Sequence, residues 1–214
     1  MTCATLKAFK IDENVFDILK ATEFSACFDV SAFITPGSTI KYYDAENCSG
    51  QIHTVDDSIE IKPGWRVLVP TGYIFDVPVG FSLRAHPRSG NSLKSGVSLA
   101  NCEGVIDADY TQQTFAVIIN FSNVPFKITS GDRIIQIELV EEVETKVQYV
   151  STEPEKKSSR DGGFGHTGTG VMTTTNVYAD PTEPLSIRGV NSKRAPASVK
   201  AGTTSAGSLG ILDF

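Results

Sequence analysis

The 214-residue chain has little cysteine, and none of it is paired in sequence: Cys3, Cys27, Cys48 and Cys102 stand far apart with no Cys-x-x-Cys. That spacing suits neither a zinc site nor a dense disulfide framework and reads as free thiols in a reducing compartment. No apolar run approaches the ~20 residues that a membrane-spanning helix needs. Residues 1–10 lack the apolar stretch of a secretory leader, so a cytoplasmic protein is expected, in the host cytoplasm if the source is viral. Positive charge is not in excess either. The net charge is −6, which argues against a broad nucleic-acid-binding surface, although local Arg, Lys and backbone N–H groups can still hold a small anion.

What the chain does have is a strand pattern. Hydrophobic residues make up 40% of it, enough to fill a core. Between residues 59 and 150 apolar positions alternate with polar ones: Ile59 and Ile61, Val67 and Val69, Phe81 and Leu83, then Phe115, Val117, Ile119 and Phe121. Ile134, Ile135, Ile137, Leu139 and Val140 form a denser apolar run. A period of two places such residues on one face of a strand. Pro63-Gly64, Pro70-Thr71-Gly72, Val79-Gly80 and Ser130-Gly131-Asp132 separate the runs as turns. Many short strands at short spacing predict an all-β sandwich or barrel. Helix is predicted only over residues 13–21 and as a turn around 91–95. Residues 34–58, rich in Gly, Ser, Asp and Asn, read as an insertion or long surface hairpin. The β domain is expected over 1–150, a flexible arm over 151–170 and a tail over 171–214. More than half of that tail is Ser, Thr, Gly, Ala or Pro, which cannot bury enough apolar surface to fold alone.

Three segments are unusual for a plain β domain. Pro87-Arg88-Ser89-Gly90, followed by Lys94, combines a guanidinium, a hydroxyl and a backbone N–H that glycine leaves open, a natural grip for phosphate oxygens. Its plainer reading is a basic turn. Asn101 to Tyr110 begins as Asn-x-x-Gly between two strand patterns and reads as a hairpin. Its open backbone groups and the Asn amide can imitate a base-pairing edge. Asp107 and Asp109 then alternate, so one carboxylate faces a site and the other faces away; the plainer reading is a solvated acidic strand. Arg160-Asp161-Gly162-Gly163-Phe164-Gly165-His166-Thr167-Gly168 is a Gly-rich stretch able to wrap phosphates, with Phe164 available to stack on a base. Alone it is equally a low-complexity linker.

In this order the segments resemble the trimeric dUTPase family, over most of residues 9–168. Ala26-Cys27-Phe28-Asp29-Val30 is similar to the family's first motif, Pro87 to Gly90 to the second and Gly104 to Tyr110 to the third. Gly131-Asp132-Arg133-Ile134-Ile135-Gln136 matches the fourth, and Gly162 to Gly168 with Arg160 the fifth. The resemblance implies a distorted jelly-roll or β-clip barrel. It also implies a homotrimer with shared active sites, and hydrolysis of dUTP to dUMP and pyrophosphate, which limits uracil in DNA and supplies dUMP for thymidylate. Asp107 then activates the water that attacks the α-phosphorus, with Mg²⁺ as cofactor. Asp29 stands near the metal's water shell. Arg88, Ser89, Gly90 and Gln136 contact phosphate. Asn101, Gly104, Val105 and Ile106 read uracil, and Tyr110 packs under deoxyribose. Arg160, Phe164, Gly165, His166 and Thr167 close over the substrate.

The chain departs from the pattern at Cys27 and Phe28, at Asn91-Ser92 and at Gln112. Two other readings remain. One is a dCTP deaminase, or a bifunctional deaminase–pyrophosphatase, on the same fold. The other is a regulatory role on the same scaffold, with the apolar terminus Leu209 to Phe214 docking a replication protein or regulator through the tail as tether. Neither membrane nor direct nucleic-acid binding is expected.

Overall fold

Short runs of β-branched and aromatic residues, each ended by a Gly, Pro or Asp turn, form thirteen strands among the described residues, 4–158, of the computed structural model. They are β1 (Lys7–Lys10), β2 (Phe28–Ser31), β3 (Thr39–Tyr43), β4 (Ser49–His53), β5 (Ser58–Ile61), β6 (Arg66–Pro70), β7 (Tyr73–Asp76), β8 (Phe81–Pro87), β9 (Val97–Leu99), β10 (Gly104–Ile106), β11 (Phe115–Asn120), β12 (Phe126–Thr129) and β13 (Arg133–Glu141). A four-stranded sheet has the order β10-β8-β13-β2, and a five-stranded sheet the order β4-β3-β6-β11-β9. Two strand pairs, β1-β7 and β12-β5, complete the architecture. It is an all-β, jelly-roll-like fold, as expected, with its sheets left unclosed. The described residues fall into two units that part after Tyr149.

The period-two pattern produces most of this core. On β11, however, the buried row is Ala116 and Ile118, while the expected row Phe115, Val117, Ile119 and Phe121 lies on the other face with both phenylalanines exposed. Both faces of that strand are apolar, and periodicity alone does not choose between them. Val67 and Val69 on β6, Leu83 and Ala85 on β8, Ala116 and Ile118 on β11, and Ile135 and Ile137 on β13 are all buried. Each fully buried aliphatic side chain contributes about 1.5–3 kcal/mol of transfer free energy, so the two sheets bind chiefly through these rows. Residues 34–58 contain the expected hairpin, β3 paired with β4. Its first strand also pairs with β6, and Ile40 and Ile34 enter the core, so the segment is structural as well as superficial.

The helix predicted over residues 13–21 is absent. Asp12 Oδ1 accepts from the backbone N–H of Asn14 at 2.8 Å and from its side chain at 2.9 Å, drawing the backbone into a turn. Leu19 then bridges Asp29 as an isolated strand contact. The expected turn at Asn91–Ser95 is present as one wide helical turn ending at Gly96.

Asn120 closes the loop between β11 and β12. It is fully buried. Its Nδ2 donates to the carbonyls of Ile61 (2.9 Å) and Val124 (2.8 Å), and its Oδ1 accepts from the Ser122 N–H and hydroxyl. Asn120→Ala strands several buried partners at once and is expected to cost about 2–4 kcal/mol in urea unfolding. A loss under about 0.5 kcal/mol refutes this account of the loop.

Candidate active site

β8 places chemistry at both of its flanks. At its C-terminal end β13 pairs with it in register, Ile135 opposite Pro87 and Gln136 opposite His86. Gln136 Nε2 donates to the Pro87 carbonyl at 2.9 Å. Arg88 leaves the strand there, and its Nε donates to Asp29 Oδ1 at 2.8 Å while Nη1 donates to the Arg133 carbonyl at 3.2 Å. Arg133 Nη1 donates to the other oxygen of Asp29 at 2.9 Å. The Asp29 side chain is only 11% exposed, so its carboxylate is sandwiched between two guanidiniums and fixes Arg88 in direction. Two cations against one anion leave this corner net positive. The atypical Asn91 has a contact of its own: its Nδ2 donates to the same Arg133 carbonyl at 3.3 Å. The other departure, Phe28, lies under the Lys20 ammonium, 5.0 Å from ring centroid to Nζ.

Ser89 and Gly90 are exposed beside Arg88. Gly90 has an ordinary helical φ of −62°, and a Cβ built on it meets nothing within 4 Å. Neither backbone conformation nor packing within the chain requires glycine at this position.

At the other flank, β10 pairs with β8 through three residues, Gly104 with Ala85, Val105 with Arg84 and Ile106 with Leu83. As the edge strand of its sheet, β10 has one side unpaired. A cavity of about 230 Å³ opens here, lined by Asn101, Gly104, Val105, Ile106, Tyr110 and Thr114 among others. Packing favours glycine at position 104, since an added Cβ would stand 3.2 Å from that of Ala85 and the neighbour would have to give by a few tenths of an ångström. The expected Asn101 hairpin is instead a crossing between sheets: β9 pairs with β11, β10 with β8, and the two do not pair with each other. The chain reverses over four residues, with the Cys102 N–H on the Leu99 carbonyl (3.2 Å) and Cys102 itself at φ 60°.

The alternation expected of Asp107 and Asp109 also fails. β10 stops at Ile106, and the Tyr110 N–H donates to the Asp107 carbonyl at 3.1 Å, closing a turn. β8 continues past Leu83 to Phe81, so the pairing ends on the β10 side, where the chain turns at Asp107. Asp107 is exposed and its carboxylate makes no hydrogen bond or ion pair among the described residues. Tyr110 is oriented by its hydroxyl, which donates to the Gln113 carbonyl at 2.9 Å.

Sequence reasoning gave no role to two residues here. Arg133 lies in a quoted segment, and only contact with Asp29 reveals its part. Thr114 gave no signal: it lines the cavity at 3% exposure, and its hydroxyl is buried without a hydrogen-bond partner. Arg160, Phe164, Gly165, His166 and Thr167 lie outside the described residues, as does the tail.

The described residues do not fit a resident metal. No group of three or more His, Cys, Asp or Glu is placed to hold one, and both oxygens of Asp29 are occupied by arginines. Nor is Cys27 poised as a nucleophile: burial, then the charges of Glu138 and Asp29, push its thiol above the usual range.

The dUTPase family matches residues 54–168. The deoxyuridine 5'-triphosphate nucleotidohydrolase of Finegoldia magna is 40% identical over 114 residues, 53% of this chain and 78% of that protein. The Staphylococcus bacteriophage 80alpha dUTPase, a phage enzyme linked to control of virulence-gene transfer and solved with dUpNHpp, superposes with a TM-score of 0.60 at 18% identity. That alignment covers 78% of this chain and all of the phage chain. A point mutant of the phage phi11 dUTPase, which coordinates a structural Mg(II) ion, gives 0.53 at 16% identity over 70% of this chain and 98% of its own. The chain belongs to the dUTPase family.

The orphan hydroxyl yields a prediction. Thr114→Val keeps the shape and removes a buried group without a partner, so unfolding free energy should rise by about 1–3 kcal/mol. A drop in stability shows instead that the hydroxyl is satisfied in solution.

Proposed function

We propose that the protein is a dUTP diphosphatase, releasing dUMP and pyrophosphate. The observation that carries this reading is the cavity on the open edge of β10, with the carboxylate of Asp107, unpartnered among the described residues, just beyond the end of that same strand. Free backbone groups of an edge strand, with the Asn101 amide, offer alternating donors and acceptors to the edge of a pyrimidine. Cytosine presents the inverted pattern and leaves buried groups unpaired, and a 5-methyl group has to compete for space with the β10 wall. Tyr110, held by its own hydroxyl, supports the sugar and leaves no room for a 2′-hydroxyl.

The reaction asks little of the protein beyond orientation and charge. Asp107 accepts a proton from a water, whose oxygen attacks the α-phosphorus in line while the bond to the bridging oxygen of the pyrophosphate breaks. Arg88, aimed by Asp29, and the backbone beside Ser89 and Gly90 stabilise the charge on the phosphate oxygens. The open space over Gly90 suits close approach of a ligand to the backbone. Asp29 acts in this reading by positioning Arg88, in place of the expected contact with a metal's water shell. Magnesium comes with the triphosphate as Mg–dUTP, its usual way of binding where few carboxylates are offered. In the family's manner, three chains share each site. Arg160, Phe164, Gly165, His166 and Thr167 come from the 151–170 arm, and the 1–150 unit carries the rest. No helix among the described residues is long and apolar enough to cross a membrane, and a cytoplasmic location fits the substrate. A partner docking on Leu209 to Phe214 is compatible with this activity and separate from it.

Pyrophosphate release measured across dUTP, dCTP, dTTP and UTP is expected to occur with dUTP and to be minor with the other three. Comparable turnover of dCTP, or ammonia release from it, overturns the assignment. Asp107→Asn should retain dUTP binding while turnover falls about 10²–10⁴-fold.

A further inference from the structure

The strand that reads the base is weakly held by its own pairing. β10 has three residues, one neighbour and an unpaired edge. The turn before it is irregular, with Cys102 in the left-handed region and the Glu103 N–H donating back to the Asn101 carbonyl at 2.6 Å. Ordering such a segment costs on the order of 1–2 kcal/mol of backbone entropy per residue, and three strand pairs at an exposed edge offset only part of that. Something else must fix Asn101 and Gly104 against the cavity.

Glu103 is suited to do so. It precedes Gly104, which pairs with Ala85, so it falls opposite His86 on the outer face of β8. Its carboxylate reaches Arg84 Nη1 at 3.3 Å and lies 3.6 Å from His86 Nδ1. Both contacts are rooted in the sheet. Arg84 Nε donates to the Ser82 hydroxyl at 2.8 Å and its Nη2 to Glu142 at 2.7 Å. Glu142 in turn accepts from the Ser82 hydroxyl. Those two hydrogen bonds hold the Glu142 carboxyl below its usual range, so Arg84 keeps its anchor well into acid. His86 Nε2 is 3.0 Å from Glu138 on β13. Arg84 retains only about a quarter of its side-chain exposure, and its guanidinium is already held at two other points, so little further entropy is lost when Glu103 binds it.

We infer that Glu103 is a positioning residue for nucleotide specificity, tethering the Asn101–Gly104 turn to Arg84 and His86 so that the base-reading edge is preorganised. The tether lies outside the cavity and touches no substrate: Glu103 is absent from the cavity lining, whereas its neighbours Asn101 and Gly104 belong to it. The inference rests on the proposed dUTP site, and its effect belongs in KM and in discrimination, not in the chemical step.

The test compares wild type, Glu103→Ala, Glu103→Gln and, as a control for loss of an exposed ion pair elsewhere, Asp76→Ala, which breaks the Lys7–Asp76 contact. Steady-state pyrophosphate release is measured with dUTP and dTTP, and thermal unfolding is measured on each variant. Exposed ion pairs are worth about 0.2–1 kcal/mol, so Glu103→Ala should raise KM for dUTP by roughly 1.4- to fivefold. Its kcat should hold within twofold, and its preference for dUTP over dTTP should fall by a similar factor. Glu103→Gln, which keeps the length and an acceptor oxygen, should lie between. Asp76→Ala should leave KM and preference at wild-type values. An unchanged KM in Glu103→Ala overturns the tether, as does an equal rise in Asp76→Ala or a loss confined to kcat. Failure of wild type to hydrolyse dUTP at all refutes the proposed function instead, so the two outcomes are separable.

Discussion

Everything at the candidate site hangs on β8 lying between two antiparallel neighbours. It pairs with β13 over seven residues and with β10 over three. The long pairing delivers Gln136 to Pro87 and brings β2, with Asp29, within reach of Arg88. The short pairing delivers the β10 edge and its cavity. Leu83 and Ala85 hold β8 in the core, so their alternates, Arg84 and His86, must face outward. A one-residue slip would reverse that order and scatter both flanks. The positions of the functional groups are therefore set by apolar residues that take no part in the chemistry.

The strands were legible because burial imposes a period of two, and the rows Val67/Val69 and Ile135/Ile137 carry it without interruption. Strands with little burial left no such trace. β1 has an exposed face along most of its length and only four residues, so nothing in Lys7–Lys10 marked it. The false helix over 13–21 had the right composition, but Val15 is taken into the core and Leu19 bridges Asp29, contacts distant in sequence that hold the segment to the sheets instead. At the site, residue types were readable and their partners were not. Arg88 and Asp29 stand far apart in sequence, and Arg133 stands beyond both, so their ion-pair sandwich exists only once β2 and β13 are paired. The end of β10 was equally hidden: the strand leaves the sheet after Ile106 although its neighbour β8 continues to Phe81.

The two flanks differ in how firmly they are built. The phosphate-side corner is crosslinked: Asp29, Arg88, Arg133, Asn91 and Gln136 all have partners within the chain. The flank of β10 keeps loose ends among the described residues, namely an unpaired strand edge, a left-handed non-glycine residue, an orphan Thr114 hydroxyl and a carboxylate at Asp107 without a partner. Of these, the left-handed Cys102 and the buried Thr114 hydroxyl each cost on the order of 1–3 kcal/mol, and a chain under selection for stability alone has easy ways to remove them. Thr114 lines the cavity and Cys102 lies in the turn before β10, so both costs fall on this flank. In the proposed reading the corner around Asp29 needs no such slack, because an anion of high charge is recognised by fixed cations and dipoles whose value lies in not having to reorganise.

That contrast also explains why an acidic protein can take a highly anionic substrate. The net charge of −6 is spread over the whole chain, and exposed charges more than about 10 Å apart are largely screened at ordinary ionic strength. Locally the sign is reversed: Asp29 neutralises one of two arginines and leaves the second, and Arg133 is still half exposed. Asp29 therefore does more by directing the cations than it removes by opposing them, since a free Arg88 would keep its charge but lose its aim. In the proposed reaction Asp107 carries the opposite requirement. A carboxylate that must take a proton from water cannot be paired with a cation in its own chain, because the partner would lower its basicity and occupy its lone pairs. In that reading one aspartate serves by being bound on both sides, and the other by having no side-chain partner among the described residues.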